Sequence, residues 1–299
     1  MSAWVCGEAL MDLFAEKSVV GGGPVNTAKA LARLGCAVEF IGGISTDGYG
    51  MRITEELLRE GVGMKYSKVS PLPTSTAQVN IDKEGVASYL FSIDGSATFN
   101  FNDEWLPDPS RLKPSVLHIG SLATIVEPGS ISLFEWAMKV GEFAPVVFDP
   151  NVRPSFLSDR DRYLASIERW ISISSLVKAS EEDLFWLYPT MEAIAAAKKW
   201  VEAGAAIVVV TRGAKGLLAV TAEEVIEVPG VKVDVVDTVG AGDTVGALLV
   251  DALLSHGIVA LRGEVLRNTL YCAALAAAIT CSRAGAQPPT RSEIEEMRI

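Results

Sequence analysis

Histidine is nearly missing from this 299-residue sequence. His118 and His256 stand alone and in no ligand-like spacing, which argues against a histidine-built metal centre. Four cysteines, Cys6, Cys36, Cys272 and Cys281, form no C-x-x-C pair. They read as reduced, buried small hydrophobes of a cytoplasmic protein. No Gly-Lys dipeptide occurs anywhere, so the chain holds no Walker A phosphate loop. Basic residues are outnumbered, 26 Lys and Arg against 37 Asp and Glu, for a net charge of −11. That excess of negative charge excludes a general affinity for nucleic acid. It leaves open a single anionic substrate held by local dipoles. The opening "MSAWVCGEALMDLF" lacks the basic segment and apolar run of a signal peptide. The longest apolar stretch, around "YCAALAAAITC", is too short to span a bilayer, so no membrane partner is expected. Internal repeats, low-complexity tracts and clear linkers are also missing.

What is present is an ordinary globular composition, 49% hydrophobic and 21% charged, enough to bury a full core. Short apolar runs alternate with helical patterns. "AWVCG", "VEFIGGI", "VLHIG", "VVFDP" and "AIVVVT" read as strands buried on both faces. "NTAKALARLG" reads as a helix over 26–35, capped by Asn26 and stopped by Gly35. "MRITEELLREG" reads as another, closed by Gly61, and "SISLFEWAMKV", "RYLASIERWIS" and "MEAIAAAKKWVEAG" as three more. The alternation predicts a mostly parallel sheet between helical layers. Residues 76–93, "TAQVNIDKEGVASYLFSI", break the rhythm with two strands around a polar turn at Asp82–Gly85. They form either a small appended sheet or an edge hairpin of the main one.

The stretch "VDTVGAGDTVGALLV", residues 236–250, runs from a glycine turn into a helical pattern that Gly257 should end. Gly240, Ala241 and Gly242 then lie at a helix N-terminus, where unpaired N–H groups and the macrodipole favour anions. Glycine lets a ligand approach closely. Asp243 in that anion pocket reads in two ways. It is a helix cap, or it is a base that takes a proton from a hydroxyl attacking phosphorus. A dinucleotide-binding turn is a third reading of the glycines, but the spacing is one residue off that fingerprint. Near the other end, "GEALMDLF" and "GGGPVNTAKALARLG" place Asp12 and Asn26 at strand-to-helix corners, where a carboxylate and an amide can hold several hydroxyls. Alone, Asp12 also reads as a solvated loop acid and Asn26 as a cap.

Together "GEALMD", "GG-P-V-N-x-A…L-A-R-L-G" and "DTVGAGD" resemble the PfkB (ribokinase-like) carbohydrate kinases, in order and separation. "FDPNVRP" (148–154), "VKASEEDL" (177–184), "TRGAKG" (211–216) and "SRAGAQPPT" (282–290) extend the resemblance over nearly the whole chain. "GEALMDLF" with "DPNVRP" is most similar to the bacterial fructokinases. The resemblance implies one ribokinase-like α/β domain over 1–299. Its fold would be a three-layer sandwich with a mostly parallel central sheet, plus a small β-sheet lid from residues 12–20 and 76–100. It implies ATP and Mg²⁺ as cofactors, room for K⁺, and a homodimer through the lid.

By the same resemblance, Asp243 is the base and the amides of Gly240, Ala241 and Gly242 form the anion hole. Asp12, Gly23, Asn26 and Asn151 bind sugar, and Arg153 lies near the phosphoryl path. A guanidinium suits that task because it stays charged and bonds phosphate in pairs; alone, Arg153 also reads as a structural ion-pair partner. Tyr89 and Phe91 cover the sugar or simply pack the sheet. Lys178, Thr211, Gly213 and Gly216 match the nucleotide side. Where relatives carry N-x-x-E, this chain has Ser180 and Asp183, so an indirect Mg²⁺ contact falls to Asp183. Asp237 stands where a monovalent cation would be held.

The expected activity is transfer of the ATP γ-phosphate to a primary hydroxyl, with fructose the first choice. 2-Keto-3-deoxygluconate, ribose or a nucleoside are alternatives within the family. A dinucleotide-dependent oxidoreductase would need G-x-G-x-x-G after the first strand, where "GEALMD" stands instead. A non-catalytic sugar-binding regulator would be expected to have lost the acid at 243.

Overall fold

The computed structural model describes residues 2–81 and 87–298; the polar turn expected at Asp82–Gly85 lies outside the described residues. The first third of the chain comprises β1 (Ala3–Cys6), β2 (Leu10–Leu13), β3 (Ser18–Gly21), α1 (Gly23–Arg33), β4 (Val38–Ile41), β5 (Gly43–Ser45), α2 (Gly48–Arg59), β6 (Lys68–Ser70), β7 (Thr76–Ile81) and β8 (Ala87–Ser92). A strand–helix alternation follows through α3 (Pro109–Leu112), β9 (Val116–Gly120), α4 (Gly129–Gly141), β10 (Val146–Asp149), α5 (Arg160–Ile171), β11 (Leu176–Ser180), α6 (Glu181–Leu187), α7 (Ala193–Glu202) and β12 (Ile207–Thr211). The hairpin β13 (Leu217–Val220) and β14 (Val225–Val228) precedes α8 (Ala241–Ala260), α9 (Gly263–Cys281) and α10 (Arg291–Met297).

The main sheet has eight strands in the order β14-β13-β12-β11-β10-β9-β1-β4. The strands from β12 to β4 run parallel, and β13 and β14 are antiparallel. Their near-continuous apolar runs follow from burial on both faces. One core lies against α1, α2, α8 and α9, around Val5, Leu31, Leu57, Leu249 and Leu270. The other lies against α4, α5, α6 and α7, around Trp4, Leu133, Phe148, Trp170 and Trp200. This is the expected three-layer sandwich. Parallel strands bring all their C-terminal ends to one edge, where open α/β sheets hold ligands.

The two strands expected within 76–93, β7 and β8, do not join that sheet. β8 pairs antiparallel with β7, β7 parallel with β2, and β2 antiparallel with β3. They form a separate four-stranded sheet in the order β3-β2-β7-β8, which settles the appended-sheet alternative. The expected lid reached residue 100, but the strand ends at Ser92 and the following segment is irregular. A further pair, β5 with β6, had no counterpart in the sequence reading.

Two helix starts differ from expectation. α1 begins at Gly23, with Gly22 as N-cap at φ 108 and Pro24 in the first turn. Proline is preorganised for that position and removes no needed donor, so Asn26 falls inside the helix and does not cap it. α8 starts from Gly240, left-handed at φ 80, which makes Asp243 the third helical residue with no capping bond. The expected stop at Gly257 is a kink, φ 70, inside α8. α8 is also long and apolar enough to cross a membrane by composition, a length the sequence reading did not find; half of that window is buried in the fold, as a core helix requires.

Candidate active site

The N-terminal turns of α1 and α8 meet over the C-terminal ends of β1, β9, β10 and β11. Between them and the lid is a cavity of about 300 Å³. Asn26 Nδ2 donates to Asp243 Oδ2 at 2.8 Å. Below it, the Thr27 hydroxyl reaches the Asp243 carbonyl at 3.4 Å. The Asp243 carboxylate is therefore held by a side chain of another helix, and its other oxygen faces Gly23. A Cβ at Gly23 would lie 3.2 Å from Asp243 Oδ1 and 2.9 Å from Asn151 Nδ2. Glycine at 23 thus keeps the space between the Asp243 carboxylate and the Asn151 amide open.

Burial lifts the Asp243 carboxyl to about 6, with Lys178 pulling the other way, Asp149 adding to the rise, and Asn26 and Arg153 opposing it. An acid tuned toward neutrality can accept a proton at cellular pH and release it again.

The three residues of the glycine turn are placed differently. Gly240 and Gly242 line the cavity, whereas Ala241 does not. The Ala241 N–H donates to the Thr238 carbonyl at 3.3 Å. Gly240 also packs on the C-terminal loop, where a Cβ would meet the Ala286 Cβ at 2.6 Å. Lys178 stands beside the turn, its Nζ 3.1 Å from where a Gly242 Cβ would be. The same Nζ donates to Asp149 Oδ2 at 2.7 Å, with both side chains about 5% exposed. Burial works against the ammonium charge, but the Asp149 and Asp243 carboxylates outweigh it and raise its pKa. Lys178 lines the cavity with Gly242, and its strand β11 pairs with β12, which ends at Thr211. Asp149 Oδ1 is buried without a partner among the described residues.

The lid contributes the other wall. Asp12 on β2 and Phe91 on β8 stand in one cross-strand row, since Asp12 pairs with Ala77 and Ala77 with Phe91. Tyr89 stacks on Phe91 with centroids 6.1 Å apart, and Phe91 meets Phe156 edge-on at 6.2 Å. Asp12, Tyr89 and Phe91 all line the cavity. Burial lifts Asp12 to about 6 against the pull of Arg153. A Cβ at Gly21 would overlap the Asp12 carboxylate, so Gly21 is its cradle.

The loop after β10 supplies Asn151 and Arg153. Asn151 has φ 42 and Ser121, after β9, φ 58. Left-handed backbone at such residues costs energy and clusters at functional sites. Asn151 Nδ2 donates to Ser121 Oγ at 3.4 Å. The Arg153 guanidinium leans on the Asn151 and Val152 carbonyls at 3.3 and 3.1 Å. It has no carboxylate within ion-pair distance among the described residues, which removes the structural ion-pair alternative.

Other expected residues sit elsewhere. Asp183 is buried, with Oδ1 accepting the Val152 N–H and Oδ2 the Ser180 N–H, both at 2.9 Å. It is half of a capping box with Ser180. Both oxygens are engaged by backbone amides, so Asp183 ties the Arg153 loop to β11. Asp237 likewise accepts the Val239 N–H at 3.0 Å and the Gly285 N–H at 2.9 Å, joining the anion turn to the C-terminal loop. Thr211, Gly213 and Gly216 lie outside the cavity. Gly216, φ 95, abuts the Val228–Gly230 backbone, where only glycine fits. Among the described residues, no cluster of three His, Cys, Asp or Glu could hold a metal ion.

Glu8 and Ser121 also line the cavity and were not singled out by the sequence reading. Glu8 stands in the quoted "GEALMD", a buried-strand end where an acid is unusual; that mismatch was the available signal.

Comparison with known proteins agrees with this geometry. The family model of the pfkB family carbohydrate kinases matches residues 7–293. A fructokinase of Rhizobium leguminosarum bv. trifolii is 35% identical over 278 residues, covering 88% of this chain and 85% of the relative. The structure of a fructokinase with bound ATP from Xylella fastidiosa superposes with a TM-score of 0.89 at 26% identity, covering 99% of this chain and 97% of that one. A Vibrio cholerae O395 fructokinase double mutant, in a fructose-, ADP- and potassium-bound form, gives 0.88 at 27% identity, with coverage of 99% and 97%. The chain belongs to the pfkB family of carbohydrate kinases.

Proposed function

We propose that this chain is an ATP-dependent fructokinase that converts fructose to fructose 6-phosphate. The observation that carries the reading is the placement of Asp243. It faces a polar cavity, fixed by Asn26, within one turn of the Gly240 and Gly242 amides at the start of α8. The fructokinase names of the relatives support the choice of sugar.

In this reading fructose lies under Tyr89 and Phe91, with hydroxyls on Asp12, Asn26 and Asn151. Its primary hydroxyl points at Asp243 Oδ1, beside Gly23. Asp243 takes the hydroxyl proton as the oxygen attacks the γ-phosphorus. The Gly240 and Gly242 amides, the dipole of α8 and the Lys178 ammonium stabilise the charge on the phosphoryl oxygens. Arg153, unpaired and at the cavity wall, swings from its own loop carbonyls to the same oxygens. The adenosine end of ATP runs toward Thr211 and Gly213. The lid excludes water that would otherwise compete as acceptor.

A divalent ion, Mg²⁺ in cells, would neutralise the β and γ oxygens of ATP. The donor set fits an ion carried mainly by the nucleotide and water: both Asp183 oxygens accept backbone N–H groups, and Asp149 Oδ1 is buried without a partner among the described residues. Asp237 fixes the two loops whose carbonyls would take a monovalent cation such as K⁺. The lid edge strands β3 and β8 carry the exposed Val19 and Leu90, which supports a homodimer through the lid. The net charge and the buried α8 accord with a cytoplasmic enzyme without nucleic-acid or membrane partners.

A coupled assay over fructose, ribose, 2-keto-3-deoxygluconate and adenosine tests the reading. Fructose should give the highest kcat/KM. Phosphorylation of none of them would overturn the kinase assignment, and preference for another acceptor would overturn the sugar.

A further inference from the structure

His118 stands in the middle of β9, in register with Val5 on β1 and Val147 on β10. Those two valines belong to the core against α1 and α8. The imidazole points the same way and is 2% exposed. Neither ring nitrogen has a hydrogen-bond partner among the described residues. An apolar side chain would fill this central strand position at no polar cost, so a histidine here calls for a partner. Burial, with the Lys178 ammonium adding to it, pushes the ring down to about 3. At cellular pH it therefore carries one N–H and one bare nitrogen.

Gly246 stands opposite the ring, one turn beyond Asp243 in α8. Glycine inside a helix is less stable than alanine. Yet a Cβ at 246 would meet only ordinary contacts, 3.4 Å from His118 Nε2 and 3.9 Å from Thr27 Oγ1. Steric crowding therefore does not explain the glycine. The space that a methyl would fill is about the size of one water molecule and has two polar atoms on its wall, as a buried water requires. Thr27 is fully buried, and its hydroxyl reaches the Asp243 carbonyl at 3.4 Å. That bond uses the hydroxyl hydrogen and leaves the oxygen able to accept.

We propose that a water molecule beside Gly246 links His118 to Thr27, in a one-way chain from His118 Nε2–H through the water and the Thr27 hydroxyl to the Asp243 carbonyl, and that His118 is thereby a positioning residue for the base. Hydrogen bonds aligned in one direction polarise one another. The chain ties β9, α1 and the first turn of α8 together at the residue whose carboxylate Asn26 holds. The other tautomer would leave a buried N–H at Nδ1 without an acceptor, the rarer fault. Neither His118 nor Thr27 lines the cavity. Their effect reaches catalysis only through the placement of Asp243, so it rests on the kinase reading above.

A crystal structure of the parent should place a water oxygen within hydrogen-bond distance of both His118 Nε2 and Thr27 Oγ1. Nitrogen NMR should find His118 protonated at Nε2 alone. Gly246→Ala fills the space. A glycine without this role predicts a higher Tm for alanine. The chain predicts a lower Tm, a kcat down about tenfold, and KM values for fructose and ATP near those of the parent. Adding His118→Leu removes the stranded N–H without making more room. Tm should then recover, since an apolar pair replaces a broken polar one. The kcat should stay about tenfold down, because the chain is still missing. A dry contact or the Nδ1–H tautomer overturns the proposal. So does a Gly246→Ala enzyme with a raised Tm or an unchanged kcat. A double variant that melts no higher than Gly246→Ala makes the defect steric, and one that regains kcat together with Tm makes His118 merely structural; either overturns the proposal. A parent that phosphorylates no sugar strikes the kinase reading and the positioning role with it, while density, tautomer and Tm still decide the water.

Discussion

Asn26 and Asp243, 217 positions apart in sequence, share a hydrogen bond of 2.8 Å between the first turns of α1 and α8. The bond holds one oxygen of the acid and leaves the other facing the cavity. It also resolves both capping alternatives, because neither side chain caps its own helix.

If Asp243 is the base, Asp243→Asn should cut kcat by at least about 10². ATP affinity, measured by calorimetry, should barely change, since the turn's amides remain. Near-normal turnover would remove the assignment.

The pH profile follows from the same group. The base works when ionised, and its folded pKa is near 6, raised from 3.8 by burial. Activity should therefore fall as pH drops through about 6. The sign for stability is opposite. A raised carboxyl pKa means the native state binds the proton more tightly than the unfolded state. Stability from this group therefore declines as pH rises from about 3.8 to about 6. Asp243→Asn should accordingly melt no lower than the parent at pH 8. A parent kcat that is flat between pH 5 and 8 would contradict the first half.

Gly21 and Asp12 form a second test. Gly21→Ala places a methyl where the Asp12 carboxylate sits. It should raise the sugar KM much as Asp12→Ala does, with little change in the ATP KM. Equal effects on both substrates would place Asp12 outside the sugar pocket.

Lys178 and Asp149 separate stability from catalysis. Lys178→Met leaves a buried aspartate unpaired and should cost about 3–5 kcal/mol, read by urea unfolding. Adding Asp149→Leu should restore most of that stability but not turnover, because the ammonium beside Gly242 is still gone. Recovery of activity in the double variant would show that the pair is only structural.

Leu90, on the edge strand β8 and 67% exposed, probes the lid as a dimer contact. Leu90→Asp should shift a dimer toward monomer in sedimentation. A parent that is monomeric at micromolar concentration rules out the lid contact.

Much of the fold was legible from short-range signals. The strands at 3–7, 116–120 and 146–149 announced themselves as apolar runs, whereas Gly257, which reads as a helix stop, is a positive-φ kink that α8 continues past. α1 was misplaced by three residues because Asn26 looked like a cap while Gly22 and Pro24 made the actual start. Asp183 matched an indirect Mg²⁺ contact by its motif; that its oxygens accept the Val152 and Ser180 N–H groups is something no local pattern reveals. Glu8 went unassigned because one acid at the end of an apolar strand carries no period.

The residues alone determined the alternation of strand and helix, the glycine turn before α8 and the family motifs, because periodicity, proline and glycine act within a few positions of the chain. Tertiary structure alone decided that Asn26 meets Asp243, that Glu8 and Asp12 share a cavity with Arg153, and that burial lifts these carboxyls toward neutrality. Those outcomes depend on the order in which parallel strands assemble and on how much water the lid and helices exclude, and neither is encoded in any single segment.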